Sequence, residues 1–186
     1  MKKMKTYNVA ITGISPLLMN RPSTLIGDIA KEKTQTEESP VQSAEKKLYI
    51  NDEKKLYQPE THIKGALVEA GKDQKVVGKG KSTYSKIVGY AVEINPFEII
   101  HKKQKWTPYS VLAVNPSTRG RNLLHRPMLK EWELEFAITF DEEQIPASIL
   151  KEILERAGKF VGIGDWRPAK KGRFGKFQVT SFKEAK

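Results

Sequence analysis

The chain has 186 residues, 38% hydrophobic and 30% charged, with a formal net charge of +11 and no cysteine. Lack of cysteine excludes a disulfide framework, a thiolate zinc site and a cysteine nucleophile. The basic N-terminus MKKMKTYNVAIT lacks a continuous apolar core and no run reaches membrane-spanning length, so the expectation is one cytoplasmic domain with no membrane partner.

Tyr7, Val9 and Ile11 alternate with polar or small residues, which predicts a half-buried strand. Gly13, Pro16 and Pro22 then bend the chain over Leu17 and Leu18. Residues 23–47 are polar and read as a long loop with a short helix at its start or end. Leu48–Ile50 and Leu56–Tyr57 flank Asn51-Asp52 as a small hairpin. Thr61 is a candidate N-cap for a helix carrying Ile63, Ala66, Leu67 and Ala70 on one face, stopped by Gly71. Residues 72–86 read as a lysine-rich loop, and Ile87–Ile94 as a second strand ended by Asn95-Pro96.

Residues 97–128 form a basic insertion. Its two β-runs, Tyr109–Val114 and Asn122–His125, are separated by turn residues and predict a projecting hairpin. From 131 to 140, Trp132, Leu134, Phe136, Ile138 and Phe140 alternate with Glu133, Glu135 and Thr139, the pattern of a strand with one buried face. Pro146 opens a helix with Ile149, Leu150, Ile153, Leu154 and Ala157 on one side, and Gly158 closes it. A glycine-rich loop, Gly162–Gly175, precedes a last strand over Phe174–Phe182. This order predicts an α+β, ferredoxin-like or RRM-like βαββαβ domain with a thumb-like hairpin insertion.

The charge is segregated. Residues 75–130 hold eleven Lys/Arg against two acids, residues 131–158 two against eight, and residues 159–186 eight against two. Two basic blocks flanking an acidic strand and helix imply a polarised surface and a polyanionic partner.

Two stretches resemble the RAMP superfamily, the RRM-like proteins of CRISPR effector complexes. Tyr57–Ala70, YQPETHIKGALVEA, is similar to the family's entry into its first helix, and GIGDWRPAKKGRFGKFQV falls where RAMP proteins carry their glycine loop. The Gly-Ile-Ser-Pro-Leu segment after the first strand looks like the family's opening. The resemblance is to the backbone-forming, crRNA-binding, Cas-seven-like subunits, or to a stand-alone or phage-encoded relative. It implies binding of single-stranded RNA, with single-stranded DNA as the alternative, and association with further copies or other effector subunits.

The candidate nucleic-acid contacts fall in three groups. Lys64 and Gly65 lie in the first helix, where Gly65 admits either a ligand backbone or close helix–sheet packing. Arg119, Arg121, His125, Arg126 and Lys130 make a basic patch on the insertion, near the aromatics Trp106 and Tyr109. Trp166, Arg167, Lys170, Lys171, Arg173 and Phe174 combine cations and ring faces in the glycine loop, with Trp166 equally readable as a packing anchor. No metal-ligand spacing is present among the three histidines, and no cofactor is expected. The resemblance offers two catalytic candidates for RNA cleavage, His62 as a general base and Asp28 in the loop after the first strand. For both a non-catalytic role is favoured.

Overall fold

The computed structural model describes residues 4–22, 39–114 and 120–185. Asp28 and Arg119 lie outside the described residues, as does most of the polar 23–47 segment. Its end is the short helix α1, Pro40–Glu45, opened by a capping box in which Ser39 and Gln42 satisfy one another's backbone N–H groups.

The centre of the molecule is a four-stranded antiparallel sheet ordered β4-β8-β1-β9. Its strands are β1, Met4–Gly13; β4, Val92–Asn95; β8, Glu133–Asp141; and β9, Phe177–Glu184. Two helices connect them: α2, Glu60–Ala70, between β1 and β4, and α4, Ala147–Arg156, between β8 and β9. That connectivity and strand order are those of the expected βαββαβ fold.

Register explains the layering. Val9 stands opposite Phe136 and Ile11 opposite Leu134, so the apolar residues of both strands share one face. Ile63 and Leu67 of α2 and Leu150, Ile153 and Leu154 of α4 are buried in the same core, and every one of these nine side chains is at most 4% exposed. Full burial of such a side chain contributes roughly 1.5–3 kcal/mol. The other sheet face carries Asn8, Ala10, Glu135 and Ala137, of which Asn8 and Glu135 are exposed.

The hairpin insertion is present. Strand β6, Thr107–Val114, pairs antiparallel with β7, Arg121–Leu129, and β2, Leu17–Leu18, adds a third strand along β7. Tying the hairpin to the bend after β1 fixes its base, while Leu112 and Leu123, opposite one another in the ladder, stay exposed at 62% and 56%. A two-stranded ladder joins β3, Tyr57–Pro59, to β5, Glu98–Ile100.

Four local expectations are corrected. Residues 87–91 are not strand but the second half of helix α3, Tyr84–Ala91, whose Tyr84, Ile87, Val88 and Ala91 form a buried face. The eight-residue helix hides in sequence because Ser, Thr and Gly surround it. Thr61 lies inside α2, which starts one residue earlier behind Pro59. The 48–57 hairpin reduces to one bridge, Ile50 with Leu56, because Tyr57–Pro59 pairs elsewhere. Gly158 does not stop α4: the chain continues through a π turn, Ala157–Val161, and ends at Gly162 with φ of 71°.

Candidate nucleic-acid interface

The glycine loop is held by two neighbours and by its own hydrogen bonds. On the β2 side, the Asp165 amide donates to the Leu18 carbonyl at 2.9 Å and the Gly175 amide to the Pro16 carbonyl at 2.8 Å. Within the loop, Ile163 donates to Gly175 at 3.0 Å, and a short 3-10 turn, Pro168–Lys170, ends at Lys171 with φ of 61°. Gly175 itself has φ of 70°, and an added Cβ would fall on the Ile163 carbonyl. Gly175→Ala is therefore expected to cost roughly 2 kcal/mol or more in chemical denaturation, from left-handed strain plus the clash. Wild-type stability in that variant would show that the loop is not closed in this way.

The second neighbour is the hairpin. Arg126 of β7 donates through Nε to Asp165 Oδ2 at 3.0 Å, with both side chains largely buried, and through Nη1 to the His125 carbonyl at 3.1 Å. Tyr109 of β6 packs edge-on against Phe174 at 5.3 Å and against Trp166 at 6.3 Å. Phe174 is 7% exposed. The ion pair and the ring cluster thus clamp the base of the hairpin to the loop.

Between the loop and α2 runs a cleft of about 230 Å³. Thr61, His62, Gly65 and Glu69 line its helical wall, and Gly164, Arg167 and Lys170 line the other. Gly65 is exposed, and a Cβ there would meet nothing within 4 Å. Helix–sheet packing therefore does not require it. A glycine inside a helix costs roughly 0.5–1 kcal/mol relative to alanine, and here that cost leaves backbone open toward a cationic wall.

His62 lies at this wall as a neutral imidazole. Burial, with help from the Arg167 charge, pushes its pKa down to about 4. The Gln58 side-chain amide hydrogen-bonds His62 Nδ1, and Tyr49 packs edge-on at 5.3 Å.

No family model matches the sequence, and no curated protein matches it. Solved structures do. A chain from the cryo-EM structure of the type III-B Cmr-beta bound to cognate target RNA superposes with a TM-score of 0.56 at 14% identity, covering 99% of this chain and 61% of that one. The chain shares the fold of that Cmr-beta chain. The crystal structure of Cmr6 from Pyrococcus furiosus is a further match, with a TM-score of 0.49 at 9% identity over 96% of this chain and 99% of that one. This chain spans about three fifths of the Cmr-beta chain it matches.

This fold brings together the two stretches that resembled the RAMP superfamily: Tyr57–Ala70 becomes β3 and α2, and Gly162–Gly175 faces it across the cleft. Of the residues singled out in the sequence, Gly65, Arg167 and Lys170 line the cleft together with His62. Lys171 and Arg173 are exposed on the same loop, and Arg121 and Lys130 are exposed at the two ends of β7. Lys64 lies elsewhere. Its ammonium donates to the Val92 carbonyl, and burial lowers its pKa. His125 Nδ1 bonds the Ser110 hydroxyl across the hairpin at 2.7 Å. Arg126 and Phe174 serve the clamp, and half-buried Trp166 packs in it. Sequence reading missed Asp165, the only acid in a loop with four cations, and that isolation was the available signal. It also missed Gln58 of β3, which hydrogen-bonds His62 four residues on.

Proposed function

We propose that the protein binds single-stranded RNA through its phosphate backbone, along the cleft between α2 and the glycine loop and onward to the hairpin, as a subunit of a CRISPR-type effector assembly. The observation that carries this is the cleft itself: helix backbone laid open at Gly65 opposite Arg167 and Lys170. Glycine permits a phosphodiester chain to approach closely, and the cations supply sequence-independent attraction. The fold shared with the Cmr-beta chain and the target RNA named for that structure support RNA over DNA. Association with other effector subunits or further copies belongs to the same reading, with the acidic 131–158 face meeting a basic one.

The test is RNA affinity across ionic strength. Log affinity should fall steeply with log salt, by about 0.7 per phosphate contact. A flat response between low and high salt would sink the proposal. Gly65→Ala sharpens it: stability should rise by roughly 0.5–1 kcal/mol while RNA affinity drops. If the variant is stabilised and binds RNA as wild type does, no strand passes over Gly65. A cleavage reading rests on His62 lining the cleft; RNA left intact by wild type, or cut equally by His62→Ala, removes it.

A further inference from the structure

A second basic surface lies outside the cleft. Residues 74–92 contain Lys75, Lys79, Lys81 and Lys86 and no acid. All four lysines are exposed, and none has a carboxylate partner among the described residues. Bonds across the loop gather them: Val76 donates to the Ser82 carbonyl at 2.9 Å, Tyr84 to Gln74 at 2.9 Å, and Lys75 bridges Thr83. Lys86 and Tyr90 follow on one face of α3, four residues apart. Together with Ser82 they border a depression of about 520 Å³.

Tyr90 gives this surface its character. Its ring is 67% exposed, yet its hydroxyl donates to Gln144 Oε1 at 3.2 Å, which holds the ring in one orientation. An exposed, oriented ring beside unpaired lysines offers a stacking platform next to point charges, the combination that single strands use. An acidic protein would use the lysines but has no need of the ring.

The geometry separates this surface from the cleft. Lys64 and Gly71 of the α2 region touch the α3 side: Lys64 bonds the Val92 carbonyl, and a Cβ on Gly71 would come within 2.9 Å of the Ser85 nitrogen. Thr61, Gly65 and Glu69 line the cleft. At about 100° per residue these two sets are centred roughly 110° apart around the helix. We infer that the Lys79–Tyr90 surface is a second binding site for single-stranded nucleic acid, engaging a different segment from the one in the cleft. The two sites share no residue, so neither depends on the other being correct.

Stoichiometry tests it. Wild type should bind two equivalents of an oligouridine about eight nucleotides long, a length within the range that one such site covers. Lys79→Glu/Lys81→Glu/Lys86→Glu should bind one, with a thermal unfolding curve matching wild type because all three side chains are exposed. The glycine-loop variant Lys170→Glu/Lys171→Glu/Arg173→Glu should keep the other. On a strand long enough to reach both sites, the first triple variant should flatten the log–log salt slope by about two, and Tyr90→Ala should weaken the second site about tenfold. If the Lys79 triple variant retains wild-type stoichiometry and slope, the second site is overturned while the cleft reading stands. Wild-type binding that only the Lys79 triple variant abolishes keeps the second site and overturns the cleft. Equal affinity for polyglutamate and oligouridine at the Lys79 surface would assign it to an acidic protein, and a wild type that binds no oligonucleotide overturns both sites.

Discussion

Lys170→Glu/Lys171→Glu/Arg173→Glu is expected to weaken single-stranded RNA binding roughly 100-fold or more near physiological salt, since three cations of the proposed site become repulsive to phosphate. The three side chains are exposed, so the variant should fold as wild type does. Its residual binding should also depend less on salt, by about 0.7 in slope for each contact removed. Asp165→Asn is the informative contrast. It raises the net charge but releases Arg126 from a largely buried pair, so nonspecific attraction grows while the hairpin loses its clamp. If geometry governs binding, affinity falls despite the added positive charge; if charge alone governs it, affinity rises. Anisotropy titrations of both variants decide between them.

The second large effect is on stability in acid. His62 and His101 both have pKa values pushed down to about 4, His62 by burial and Arg167, His101 by burial. His101 is 1% exposed beside Trp132, with neither ring nitrogen hydrogen-bonded. An unfolded histidine takes up its proton near pH 6.5, whereas these take it up only near pH 4 in the folded chain. The unfolded state therefore binds more protons between those values. Stability is fully present above pH 6.5, falls as pH drops through the window, and loses nothing further from these groups below pH 4. Each histidine contributes a loss of roughly 3 kcal/mol across the window. Urea midpoints measured from pH 7 to pH 4 should decline accordingly. His101→Leu should shallow the decline and raise stability at neutral pH by about 1 kcal/mol, because it removes two buried nitrogens without partners. A variant whose midpoint tracks wild type at every pH would show that His101 is not the titrating group.

How far the fold was legible depended on the strength of local pattern. The 131–140 alternation is long and strict, and it forms β8 with every apolar residue buried as expected. Helix α4 has the same clarity, with Leu150, Ile153 and Leu154 on one stripe. Helix α3 does not. Its eight residues include Gly89 and Ser85, too short a span for the period to stand out, and it forms because Tyr84, Ile87 and Val88 have the flank of α2 to pack on.

The interface divides in the same way. Which residue types cluster is a property of the chain: the cations of the glycine loop, the lysines of 75–86 and the acids of 131–158 are written in order and need no fold to be counted. Which of them face outward is a tertiary matter. Arg126 and Arg167 are chemically alike, yet Arg126 meets Asp165 from a different strand, thirty-nine residues away, and becomes a clamp, while Arg167 lines the cleft. Lys64, adjacent to Gly65, turns to the Val92 carbonyl because a helix sends neighbouring residues about 100° apart. The sequence by itself determined the order of the βαββαβ core, the segregation of charge and the pairing of a glycine loop with the Lys64-Gly65 helix. Only the tertiary structure decided which cations are spent on internal carboxylates and carbonyls, because contacts across long sequence separations leave no local period to read.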